Sequence, residues 1–199
     1  MRIWIALLIL GIGVAQAQPW KEHDQNGDDL MLRDADMAGA IKEFDIAIKL
    51  EPRLGPQHWR RGIALYYAGR FKDGQKQFER HQTVNSNDVE NAVWHFLCVS
   101  KASTFSEARR KMIHIKQDDR VPMMQVDALF RGTGTEQDVL KVSKTANDLF
   151  YAHLYLALYW EAVGDDAKVL EHASLAATQY APNDYMGMVG KLHYRLRKK

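Results

Sequence analysis

The chain has 199 residues, 27 Lys and Arg against 25 Asp and Glu, and a formal net charge of +2. So balanced a charge excludes drawing the whole protein to nucleic acid or an anionic membrane by its field. A single cysteine, Cys98, excludes an internal disulfide framework. The length suffices for one domain with a sizeable core.

The first segment reads as a signal peptide, residues 1–17. Arg2 gives a positive n-region, Ile3 to Val14 is an apolar run, and Ala15-Gln16-Ala17 is a small-x-small cleavage site. The run falls short of the roughly 20 residues a bilayer span needs, and no second run of that kind follows, so no stable membrane insertion is expected. No Cys stands near the cleavage site to carry a lipid anchor. The expectation is an exported protein, periplasmic or secreted, beginning at Gln18. Residues 18–27 read as a polar linker. Asp24-Gln25-Asn26-Gly27-Asp28 has the composition of a calcium loop but not its spacing. Asp29 holds the sixth position, which needs Gly, and Ala35 the twelfth, which needs a bidentate Glu.

A helical repeat region is expected over 28–184. Its clearest part is Trp59 to Phe78, where Trp59, Gly62, Ile63, Tyr66 and Tyr67 recur at helical spacing, followed by Phe71, Gly74 and Phe78. Ala68-Gly69-Arg70 joins the two helices, and the small Gly62 and Gly74 let their backbones approach. The same pattern returns every 34 residues: Ala35, Gly69 and Ser103; Met37, Phe71 and Phe105; Ala40, Gly74 and Ala108; Phe44, Phe78 and Met112. The register breaks after Met112. Pro122 opens a short hairpin through Met123, Val126, Leu129 and Phe130, a Gly132–Thr135 turn, and Val139, Leu140 and Val142. Asp148 is expected to cap an apolar helix from Leu149 to Val163, and Gly164-Asp165-Asp166 turns it into Ala167 to Tyr180. Residues 185–199 read as a C-terminal capping helix with a basic tail, whose Arg195, Arg197, Lys198 and Lys199 offset the helix dipole.

These positions resemble the tetratricopeptide repeat, a family of 34-residue helix–turn–helix units. Ala40, Phe44, Ala47 and Pro52 carry the resemblance in the first copy, Gly62, Gly69, Phe71, Gly74 and Phe78 in the second, and Phe105, Ala108 and Met112 in the third. Ser86 stands where the second copy's closing proline is expected, and Phe96 where the third would have a small residue. The resemblance implies an all-α, right-handed superhelical solenoid of about five hairpins. The layout is similar to small periplasmic tetratricopeptide adaptors.

No sequence pattern points to catalysis. The eight histidines form no HExxH and no i, i+4 pair, and there is no CxxC, Gly-rich phosphate loop or GxSxG elbow. No catalytic residue, metal ligand or cofactor is therefore expected, and the chain is not read as an enzyme. Cys98, between Leu97 and Val99, reads as a buried inert thiol.

Trp59, Ile63 and Tyr66 fall at i, i+4 and i+7 and share one helix face. The resemblance turns that face toward the concave groove and sets Glu90, Asn91, Trp94 and His95 beside it, with Arg60 and Arg70 near. Trp, Tyr and Arg dominate interface hot spots. These nine residues are the candidate partner-binding set, for a protein or peptide held in the groove. The family's clamp for C-terminal carboxylates does not carry over, since Ile63 occupies its key Asn position. Two other readings stand beside this one. The first is a self-assembling structural module, such as a homodimer, whose groove is filled by another copy or by its own terminal helix. The second is a small-ligand binder or enzyme with a pocket near His81 and His95. Packing of the same aromatics between repeats is the plainer alternative for each residue alone.

Overall fold

The computed structural model describes residues 18–198. The expected signal segment 1–17 and the terminal Lys199 lie outside the described residues. Among those described, the protein is all-helical, with twelve α-helices, two π-helical stretches and no strand. No helix among them is long and apolar enough to cross a membrane.

Consecutive helices pack in five pairs: α1 (Pro19–Asp29) on α2 (Met37–Leu50), α4 (Trp59–Tyr67) on α5 (Phe71–His81), α6 (Val89–Ala102) on α7 (Phe105–Lys111), α8 (Met123–Arg131) on α9 (Glu136–Val142), and α10 (Ala146–Val163) on α11 (Asp166–Ser174). A single turn, α3 (Leu54–Gln57), leads into α4, and α12 (Tyr185–Arg197) ends the chain. Side-chain caps punctuate the helices. Asp36, Asp88, Thr104, Thr135, Thr145, Asp165 and Asp184 each accept from a backbone amide within the first turn of the helix they precede. The cap of α10 is Thr145 rather than the expected Asp148. Asp148 closes the box from the other side by accepting from the Thr145 amide. Helix α10 is the central element. Phe150 and the run Ala152 to Leu158 are buried, so the helix meets protein on every side and carries almost no polar face.

Two sets of the 34-residue positions share burial. Ala40, Gly74 and Ala108 are all buried, and so are Phe44, Phe78 and Met112. The turn position is left-handed in the first two copies, at φ 57 for Ala35 and φ 74 for Gly69, but not at Ser103, with φ −144.

The stretch expected as a polar linker is helix α1, packed against α2. Its inward carboxylates are held by ion pairs. Arg60 bridges Asp24 and Asp28, and His58 Nε2 lies 2.9 Å from Asp24. Such a helix shows no apolar period. Gly27 plays the part in α1 that Gly62 plays in α4. A β-carbon at Gly27 would come within 2.4 Å of the Phe44 ring, and one at Gly62 within 2.6 Å of the Phe78 ring. Gly62 stands seven residues before its turn and Gly27 eight. The π-helical stretch Leu30–Asp34 takes up the additional residue.

Helix α12 does more than cap the last pair. Tyr185 donates to Asp28 at 2.8 Å, Arg195 donates to the carbonyls of Arg33 and Leu32, and the Tyr67 hydroxyl meets His193 Nδ1 at 3.0 Å. The C-terminal helix thus returns to the first two pairs.

Substitutions at the repeat positions test this account. Gly27→Val is expected to destabilise by about 1–3 kcal/mol through overpacking against Phe44. At the turns, Ala35→Gly should stabilise and Gly69→Ala destabilise, each by about 1 kcal/mol, because both sites are left-handed and nothing crowds a β-carbon at Gly69. Urea unfolding monitored by circular dichroism measures all three.

Candidate functional site

A cleft of about 240 Å³ opens where α4, α5, α6 and α12 meet. Trp59 at the start of α4 and Met186 at the start of α12 form one wall. Phe78 and His81 come from the end of α5, Asn85 and Asp88 from the following loop, and Glu90, Asn91 and Trp94 from the first turns of α6. Arg120, from the irregular segment after α7, closes the rim.

The rim is an ion cluster. Arg120 donates to Asp88 at 2.7 Å, to Asp118 at 2.6 and 2.9 Å, and to Glu90. Asp118 also accepts from the Val89 amide at 3.1 Å, and the Tyr155 hydroxyl donates to Glu90 at 2.6 Å. Three carboxylates therefore face one guanidinium. Burial, and then the Asp88 charge, push Glu90 up to about 6 against the opposing pull of Arg120 and Tyr155. Burial acts the same way on Asp118, but the hydrogen bonds from Arg120 and Val89 outweigh it and leave that carboxyl lowered.

Deeper in the cleft, two polar atoms have no partner. Asn91 spends its amide nitrogen on the Phe78 carbonyl and on Gln82, each at 3.2 Å, and its Oδ1 is left unpaired. The Trp94 indole Nε1 is also unpaired. Both residues are only 2% exposed. Buried polar groups are normally satisfied, so a lone donor and a lone acceptor on one cleft stand out.

Of the nine candidate residues, Trp59, Glu90, Asn91 and Trp94 come together here. The other five lie elsewhere. Arg60 is turned to Asp24 and Asp28. Ile63 is fully buried. Tyr66, 3% exposed, donates to Glu161 at 2.8 Å. Arg70 is exposed at the α4–α5 turn and pairs with Asp73 at 2.7 Å. His95 is buried, with Nε2 3.4 Å from Glu79, and burial lowers its pKa. The aromatic face is largely occupied from within. Tyr185 meets Trp59 edge-on at 5.1 Å, and Tyr66 and Tyr67 pack on Trp94 at 5.5 and 5.9 Å. A second, wider depression of about 600 Å³ runs past Tyr66, Tyr67, Lys101, Glu161 and Arg197. There His193 and Arg197 hold the Glu161 carboxyl low against the effect of its burial.

The sequence reading missed Asp88, Asp118, Arg120 and Met186 as members of this site. Asp88 carried a signal, but for capping. Arg120 carried none, since it lies in a segment outside the repeat register. Compared with models of known protein families, the chain matches none.

Glu90 supplies a sharp check on the cleft's electrostatics. Its folded value of about 6 exceeds the ordinary 4.5, so the native state binds more protons in that window and Glu90's contribution to stability falls as pH rises through it. The unfolding free energy of Glu90→Gln, relative to wild type, should therefore increase between pH 5 and pH 7. Urea titrations across that range measure it, and a pH-independent difference would show that Glu90 does not titrate there.

Proposed function

We propose that this is an exported, tetratricopeptide-like scaffold that holds an extended peptide of another protein, and that its binding surface is the cleft between α4, α5 and α6. The observation that carries the reading is the pair of unpaired polar atoms, Trp94 Nε1–H and Asn91 Oδ1, on a cleft walled by Trp59, Phe78 and Met186. A donor and an acceptor on residues lining one cleft match what a peptide backbone offers, and the aromatic walls supply apolar area. Five consecutive helix pairs and the recurrent buried positions 34 residues apart support the superhelical repeat assignment.

A second reading has its own support. Helix α12 lies against Trp59, Tyr67 and Glu161 through Tyr185, His193 and Arg197, so the terminal helix occupies much of the face that the family uses for partners. In that reading the molecule is a structural module, and exchange of α12 between two copies would make a homodimer.

Site-specific photocrosslinking separates the two. A benzophenone amino acid at Asn85, exposed on the cleft rim, should capture a polypeptide from envelope extract, and the same probe at exposed Lys72 on α5 should not. Adding Glu90→Gln should reduce capture at position 85 several-fold. Capture of only the protein's own chain would support the module reading, and equal capture at both positions would remove the cleft from consideration.

A further inference from the structure

The cleft also carries a charge that the peptide-binding reading leaves unused. Asp88, Glu90 and Asp118 surround Arg120, and every nitrogen of that guanidinium is already engaged: Nε with Asp118, Nη1 with Glu90, and Nη2 with Asp88 and Asp118. Four of the five N–H donors are used, so an incoming anion would find a single unengaged N–H, the second on Nη1, and an excess of like charge. An incoming cation would find carboxylate oxygens with spare lone pairs and the indoles of Trp59 and Trp94, whose π-systems attract cations. At about 240 Å³ the cleft lies below the range usual for drug-sized ligands. It suits one side chain and the backbone on either side of it.

We infer that the cleft is specific for a peptide segment bearing a Lys or Arg side chain, the cation lodging between the tryptophans and the Asp88–Glu90 carboxylates while Trp94 Nε1–H and Asn91 Oδ1 engage a carbonyl and an N–H of the same segment. The inference rests on the peptide-binding reading of the cleft and adds the chemistry of the occupant. The two unpaired atoms distinguish a peptide from a free amine. An alkylammonium ion can serve Asn91 and the carboxylates, but it has no acceptor for the indole N–H. A residue within a polypeptide supplies the cation, the acceptor and the donor together.

The state of Glu90 then links binding to pH. The groups facing Glu90 are Asp88, Asp118 and Arg120 at the rim, Tyr155 by its hydrogen bond, and Tyr151, whose own titration is pushed up first by burial and next by the Glu90 charge. A bound cation favours the ionised carboxylate, so affinity rises from pH 5 to pH 7.

The test is a titration of the chain from Gln18 to Lys199, followed by ¹H–¹⁵N spectra of the indole N–H signals, with the Trp94 signal assigned from Trp94→Phe. The blocked tripeptide acetyl-Ala-Lys-Ala-amide should shift the Trp94 indole resonance and bind about tenfold more tightly than its norleucine counterpart. Glu90→Gln, nearly isosteric and still able to accept from Tyr155, should erase that preference while leaving the rest of the spectrum unchanged. Equal binding of the lysine and norleucine peptides overturns the cation inference but leaves the peptide reading standing. Binding of n-butylamine as tight as that of the lysine peptide retains the cation and overturns the peptide. No shift at Trp94 with any probe at millimolar concentration overturns both.

Discussion

Arg60 reaches from the first turn of α4 to Asp24 and Asp28 of α1, and Tyr185 at the start of α12 donates to the same Asp28. The cluster is shielded from solvent, with the Asp28 and Asp24 side chains 11% and 16% exposed. Burying a charge is unfavourable unless it is paired, so the three helices can lie together only where these groups meet. Burial raises the Asp28 carboxyl despite Arg60 and Tyr185. It acts on Asp24 too, but there the bonds to His58 and Arg60 prevail and leave Asp24 lowered. Removing one partner from a pair of this kind typically costs about 3–5 kcal/mol, whereas an apolar replacement of the whole set can be neutral. What the network provides is register: it fixes where the C-terminal helix rests on the N-terminal pair.

That placement decides what is left of the aromatic face. With Tyr185 against Trp59 and His193 against Tyr67, α12 covers the middle of the surface that α4 presents. The face is divided into a wide, charged depression around Glu161 and a smaller cleft at the other end. Met186, one residue after Tyr185, is the part of α12 that walls the cleft. The same contact that closes the molecule therefore shapes its candidate site, and loosening the Arg60 network would alter both.

The helix pairs were legible in the sequence because they depend on local spacing. Gly62, Gly74 and Phe78 had to recur at helical intervals for two helices to touch, and the 34-residue period followed. Helix α1 was hidden for two reasons. Its inward groups are Asp24 and Asp28, which read as solvated polar residues until Arg60, 32 residues beyond Asp28, is placed beside them. Its small residue, Gly27, is one position out of phase because a π-helical turn precedes Ala35. The candidate face was half legible. The i, i+4, i+7 spacing places Trp59, Ile63 and Tyr66 on one side of α4, but it says nothing of what covers that side. The covering contacts join residues 95 to 126 positions apart, and no local pattern encodes them.

Arg120 shows the same limit in the electrostatics. Along the chain it sits in an irregular stretch with Asp118 and Asp119, an unremarked surface turn. In the fold it is the only cation at the cleft rim among the described lining residues, and it is outnumbered by the carboxylates it holds. A neutral rim would have needed two more basic groups, or carboxylates ionised less readily, and Glu90 takes the second course in part by titrating near 6. The remaining imbalance favours positive charge from outside, so the cleft's own charge balance, more than its shape, argues for the sign of the occupant proposed for it.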